Sequence, residues 1–107
     1  MSENTIIIIH SRVAIGYVGS NTTSFVLQMG GYEVITVPTV LYSNHLGYTT
    51  VGGGKIAEDL FSDILKGILK LEVLTDVSTI ITGFIGSAGQ VRITADFIRT
   101  IKKCNPE

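Results

Sequence analysis

The chain has 107 residues, 45% hydrophobic and 16% charged, with a formal net charge of −1. An average soluble domain has about 25% charged residues, and this apolar composition excludes a disordered chain. The balanced charge lacks the basic footprint of a nucleic-acid-binding protein, and the length predicts one domain, residues 1–107.

The first predicted elements are a strand and a helix. Residues 5–9 are almost all isoleucine, which predicts a central strand of a parallel sheet, covered on both faces. Ser20 or Asn21 can cap a helix that runs to Met29, before Gly30 and Gly31. The second strand is predicted at residues 32–37, which are rich in Val, Ile and Thr.

The clearest predicted helix covers residues 55–71. Its apolar residues form two adjacent i, i+4 rows, one of which contains Leu60, and predict a broad buried stripe. Acidic residues such as Glu58 are expected on its solvated face. A third strand is predicted at residues 78–82. A last helix, residues 88–104, is expected to bury Val91, Ala95, Ile98 and Ile101.

Alternating strands and helices predict an α/β fold with a mainly parallel sheet, right-handed crossovers and helices on both faces. Three strands this apolar leave an edge unpaired, which soluble proteins avoid. We therefore expect an incomplete three-layer architecture, either a fragment or a chain completed by a partner.

Ligands of open parallel sheets bind beyond the carboxyl ends of the strands. Three loops are predicted at that edge, at residues 10–21, 38–55 and 83–89. They are rich in Gly, Ser, Thr, Asn or Tyr, which suits either a small ligand or ordinary turns, and the pattern alone leaves both open.

No motif in these loops supplies reactive groups. Residues 52–55 resemble a phosphate loop, but Thr49 and Ile56 stand where the motif needs Gly and Ser or Thr. His10, His45 and Cys104 are too scattered for a zinc site. None of the nine acidic residues follows a predicted strand. The sequence therefore predicts neither catalytic nor metal-binding residues.

Three loop motifs resemble those of the pyridoxal/pyridoxine kinases. HSRVAIGYVGSN at residues 10–21 resembles their Ser-x-Val segment followed by Gly-x-Val-Gly-Asn. VPTVLYSNHLGY at residues 37–48 resembles their Ser-Asn-His-x-x-Tyr loop, and TGFIGS at residues 82–87 resembles their Thr-Gly-Tyr-x-Gly-Ser segment. The motifs occur in the family's order and at matching spacing.

The resemblance implies the N-terminal part of a ribokinase-like kinase that phosphorylates the 5′-hydroxymethyl group of pyridoxal, pyridoxine or pyridoxamine with ATP, Mg²⁺ and a monovalent cation. It implies substrate-binding roles for Ser11, Val18, Asn44, His45, Tyr48 and Phe84. The catalytic base and most of the ATP site are expected in a C-terminal part with a Gly-Thr-Gly-Asp motif. The chain alone is then expected to be inactive.

This chain also departs from the family pattern. Leu46 and Gly47 replace the Thr and His of many relatives, and Phe84 replaces the commoner Tyr. The preferred B6 vitamer therefore stays open. Ser11 alternatively caps a turn, and Asn44 alternatively orders its own loop.

Two other functions remain open, a hydroxymethylpyrimidine-type kinase and a non-catalytic module that binds a vitamer or a protein. The Ser-Asn-His segment favours the pyridoxal kinase. A receiver-like domain is disfavoured because its acidic cluster is missing.

A lone Cys104 and the lack of a signal peptide or a membrane span predict a cytoplasmic protein. We expect no nucleic-acid or membrane partner, and we expect a homodimer.

Overall fold

The computed structural model describes residues 5–15, 20–44, 47, 49–71, 77–83 and 85–104, with the backbone alone for residues 20–22 and 104. The described strands are β1 (Thr5–Ile15), β2 (Glu33–Asn44), β3 (Gly53–Lys55) and β4 (Val77–Thr82). The described helices are α1 (Ser20–Met29), α2 (Glu58–Leu69) and α3 (Ala88–Cys104).

The strands form one sheet in the order β3-β2-β1-β4. β1 pairs in parallel with both β2 and β4, so the isoleucine strand is central, as predicted. The connection from β1 to β2 crosses the sheet in one direction, and the connection from β2 to β4 crosses it in the opposite direction. Right-handed crossovers in opposite directions require α1 on one face and α2 on the other.

The core of the described chain lies between β1 and the pair of helices α2 and α3. Ile7 and Ile9 are fully buried in one cluster with side chains from both helices. The helical members of this cluster are Phe61, Leu65, Phe97 and Ile101. Ile8, on the alternate face of the strand, is also fully buried. An incomplete α/β fold with a mainly parallel sheet is therefore confirmed.

The buried faces of α2 and α3 differ from the predicted ones. Leu60 and Val91 were expected in the core, but each is 52% exposed. The inward face of α3 instead carries Gln90 and Thr94, which are 0% and 5% exposed. Hydropathy could not predict this orientation, because a buried amide is favourable only when specific partners bind it.

β1 and β2 are longer than predicted. Residues 10–15 and 38–44 were expected as loops, but they pair with each other, from His10 opposite Pro38 to Ile15 opposite Asn44. The unpredicted strand β3 pairs antiparallel with β2, and Lys55, expected to open a helix, ends that strand. The polar residues and the glycines concealed these strands, whose backbone hydrogen bonds depend on contacts distant in sequence.

Two surfaces of the described chain lack a covering element. The outer edge of β4 pairs with no described strand. On α1, Phe25, Val26 and Met29 are each more than half exposed, and the helix carries no charged residue. Within the described ranges, no helix is long and apolar enough to cross a bilayer.

The core assignment of α2 predicts the effect of truncating adjacent residues. Phe61→Ala should lower the free energy of unfolding by about 3–5 kcal/mol, because it removes a fully buried ring and leaves a cavity. Leu60→Ala, one position earlier and half exposed, is the matched control and should cost much less. Urea unfolding followed by circular dichroism measures both. Equal losses would contradict the assigned buried face.

Candidate functional site

The loop after β4 lies against the middle of β1, where the pairing between β1 and β4 ends. The amide of Gly83 donates a hydrogen bond of 2.9 Å to the carbonyl of Ile9. A β-carbon at Gly83 would lie 2.2 Å from Cδ2 of His10, so only a glycine can pack this closely on the imidazole. This contact explains why glycine follows the strand.

The same loop then approaches β2 and β3. A β-carbon at Gly86 would lie 3.2 Å from Cγ1 of Val40 and 3.3 Å from Cγ of Lys55. The loop after β4 therefore contacts the second halves of β1 and β2 and the strand β3 at one edge of the sheet. That is the arrangement in which parallel sheets bind ligands.

His10 is the first polar residue after the isoleucine run and was not predicted as a site residue. Its Nδ1 accepts a hydrogen bond of 2.7 Å from the amide of Ser11. Burial lowers the pKa of His10 below its usual value of 6.5. The ring is therefore neutral near pH 7, with its proton on Nε2.

Ser11 lies at an irregularity in the β1–β2 ladder. Between the pairs His10–Pro38 and Arg12–Leu41, one residue of β1 faces two residues of β2. Such bulges redirect side chains and are common beside binding sites. Ser11 is half-buried, and its Oγ lies 3.3 Å from Nδ1 of His10. Its predicted contact with a substrate stays a prediction.

Asn44 ends β2 and holds the segment that returns to β3. It is 9% exposed, and its Nδ2 donates to the carbonyl of Thr50 at 2.8 Å. Its Oδ1 accepts from Oγ of Ser43 at 2.5 Å, and that Oγ accepts from the amide of Gly52 at 2.9 Å. These bonds support the loop-ordering alternative, and substrate binding by Asn44 stays a prediction.

Ser11 and Asn44 are not partners in the pairing of β1 with β2. Asn44 pairs with Ile15, four residues beyond Ser11, which is about 13 Å along a strand. The other predicted binding residues, Val18, His45, Tyr48 and Phe84, lie outside the described residues, as does Leu46.

Glu58 is exposed, as expected, but its carboxylate is not simply solvated. Its Oε2 accepts a hydrogen bond of 3.0 Å from Oγ of Ser87. A β-carbon at Gly89 would lie 2.1 Å from Cδ of Glu58. The carboxylate therefore lies on the first turn of α3, where the helix dipole favours a negative charge.

The described side chains form no cluster of three or more His, Cys, Asp or Glu residues that could hold a metal ion. A Mg²⁺ ion bound to protein usually needs one or two carboxylates in addition to phosphate oxygens. At the described edge, only the Glu58 carboxylate is present, and Ser87 binds it. The described residues therefore do not fit a metal centre of their own.

This chain is similar to known proteins in sequence and in structure. No protein-family model matches the chain. A pyridoxal kinase PdxY of Leifsonia xyli is 37% identical over 101 residues, which are 94% of this chain and 36% of the relative. The chain is similar to pyridoxal kinases over almost its whole length. The family resemblance inferred from the three motifs is thus confirmed.

Solved structures agree with this result. Pyridoxal kinase from Leishmania donovani in complex with ADP and pyridoxine superposes with a TM-score of 0.89 at 31% identity, over 95% of this chain and 35% of that one. A putative phosphomethylpyrimidine kinase from Bacteroides thetaiotaomicron superposes with a TM-score of 0.83 at 31% identity, over 92% and 33%. The chain thus spans about a third of the length of each pyridoxal kinase it matches.

The contact between Gly83 and His10 predicts opposite effects at two glycines. Gly83→Ala should lower the free energy of unfolding by about 1–3 kcal/mol, because the new methyl group displaces the imidazole. Gly67→Ala in α2 is the control, since nothing lies within 4 Å of the position that its methyl group would take, and it should stabilise the chain by about 0.5–1 kcal/mol. Thermal unfolding measures both changes. Equal shifts at the two positions would contradict the close contact.

The lowered pKa of His10 predicts a pH-dependent stability. Below pH 6.5 the unfolded chain binds a proton at His10 more readily than the folded chain, so stability falls as the pH drops through the folded pKa. His10→Gln should remove this part of the pH dependence, while His45 remains in both proteins. Urea unfolding between about pH 7.5 and 5 measures it. An unchanged slope in the variant would refute the burial of a neutral His10.

Proposed function

We propose that this chain is the substrate-side part of a pyridoxal kinase, an enzyme that transfers phosphate from ATP to the 5′-hydroxymethyl group of pyridoxal, pyridoxine or pyridoxamine. The observation that carries the proposal is the convergence of motif residues in β1, in β2 and in the loop after β4 at one edge of the sheet. The similarity to a pyridoxal kinase with pyridoxine bound supports it.

The described residues at this edge of the sheet include polar side chains that suit a flat heteroaromatic ring. Ser11 offers a hydroxyl that can donate or accept, and the neutral ring of His10 keeps a proton on Nε2. We propose that Val18 and Phe84 contribute apolar walls, and that the segment containing Asn44, His45 and Tyr48 lies over the substrate. A few fixed polar groups among apolar walls are typical of small-molecule sites.

The reactive groups belong, in this proposal, to polypeptide that the chain does not contain. Phosphoryl transfer needs a base or a group that orients the nucleophile, together with metal ions and cations around the phosphates. The described residues form no cluster of His, Cys, Asp or Glu that could hold the metal ions. We therefore assign the base, most of the ATP site, the Mg²⁺ and the monovalent cation to the remaining two thirds of the kinase.

Two further properties complete the proposal. We propose a cytoplasmic location from the lone cysteine, and a homodimer because the sheet of the described residues has an unpaired edge; the exposed apolar residues of α1 are compatible with a surface that another chain covers. The alternative, a hydroxymethylpyrimidine-type kinase, has less support, because the relatives with the similarity reported above are named pyridoxal kinases. The Ser-Asn-His segment favours pyridoxal as the substrate class.

Calorimetric titration of the chain with pyridoxal, with a hydroxymethylpyrimidine and with ATP tests the proposal. We expect weak binding of pyridoxal, less of the pyrimidine and little of ATP. Ser11→Ala should weaken pyridoxal binding by about 1 kcal/mol, as for loss of one hydrogen bond, whereas Ser78→Ala, an exposed serine near the start of β4, should not. Tight ATP binding without vitamer binding would refute the assignment.

A further inference from the structure

Gln90, near the start of α3, has a completely buried carboxamide. Its residue exposure is 0%, and its polar atoms bind three different segments of backbone. Nε2 donates to the carbonyls of Thr39 at 3.0 Å and of Ile56 at 2.9 Å. Oε1 accepts from the amide of Gly86 at 2.8 Å. Both amide protons and the carbonyl oxygen are therefore used.

Each partner of Gln90 belongs to a different part of the candidate site. Thr39 lies in the β1–β2 irregularity, opposite the stretch that contains Ser11. Ile56 lies between β3 and α2, and its amide also donates to the carbonyl of Thr39. Gly86 lies in the loop that follows β4. One side chain thus connects β2, the entry to α2 and the loop after β4.

The loop after β4 is closely packed around Gly86. A β-carbon there would lie 3.0 Å from Oε1 of Gln90, closer than it would lie to Val40 or Lys55. The next residue is also held, because Oγ of Ser87 accepts from the amide of Gln90 at 3.1 Å and donates to Glu58. The loop is therefore held by hydrogen bonds at Gly86 and at Ser87, just before α3 begins.

We propose that Gln90 is a positioning residue for the vitamer site, which sets the distance between the loop after β4 and the bulged part of β2 without touching the ligand. The inference rests on the proposed function for the ligand and on the described contacts for the geometry. Loss of the amide leaves the carbonyl of Ile56 and the amide of Gly86 without this partner. Unpaired buried groups are costly, so the loop should shift toward water.

The test compares Gln90→Met with Thr94→Val in the same chain. Methionine keeps the length and approximate volume of the side chain but removes the three hydrogen bonds. Thr94 lies one turn later, is 5% exposed, and its hydroxyl is without a hydrogen-bond partner among the described residues. Its replacement should therefore alter neither the loop nor ligand binding.

Amide exchange measures the loop without any ligand. In Gln90→Met, the amide of Gly86 should exchange about tenfold faster or more, as for loss of a buried hydrogen bond. The amide of Phe61, bonded to Ala57, is the internal reference and should change no more than the global stability requires. Unchanged exchange at Gly86 would overturn the inference, whatever the ligand result.

Pyridoxal titration measures the consequence for the site. Gln90→Met should weaken binding about fivefold to tenfold, and Thr94→Val should bind as the unsubstituted chain does. Gly86→Ala retains the amide but displaces the same contact, and should weaken binding by a similar factor. If both loop variants bind normally, Gln90 is structural only. If the unsubstituted chain does not bind pyridoxal, the proposed function fails, and amide exchange alone decides the role of Gln90.

Discussion

The arrangement of the chain depends on the burial of β1 on both faces and along both edges. An isoleucine strand with parallel neighbours on each side leaves no surface for water, so helices must cover both faces. Helices on both faces require crossovers in opposite directions. Because the paired strands are parallel, the motif residues in the second halves of β1 and β2 lie on the same side of the sheet as the loop that follows β4.

Close backbone contact, rather than a cluster of charges, shapes that edge. Gly83 packs on the imidazole of His10, and Gly86 packs on the amide of Gln90. The contact at Gly83 requires the absence of a side chain, and the space at Gly86 is tighter than most side chains tolerate. The side-chain amide of Asn44 also has a structural role, because it donates to the carbonyl of Thr50 in the segment between β2 and β3. The polar groups of the edge are therefore engaged chiefly in fixing its shape.

The polar groups of the described edge are few. At the described edge a neutral histidine lies beside a serine at a bulge, and the described side chains form no cluster of His, Cys, Asp or Glu that could hold a metal ion. The chain spans about a third of the pyridoxal kinases that it matches. The proposed division, with the vitamer held here and the phosphate chemistry elsewhere in the kinase, follows from which groups the described residues contain.

The sequence alone determined the order of the main elements, because apolar periodicity and helix-ending glycines act locally. The bounds of α1 and α3 agree with prediction, and the three loop motifs predicted the similarity to pyridoxal kinases. Only the tertiary structure decided that residues 10–15 and 38–44 are strands, since their hydrogen bonds join segments distant in sequence. It also decided that Gln90 faces inward and Val91 outward, because burying an amide depends on three carbonyl or amide partners that no local pattern records.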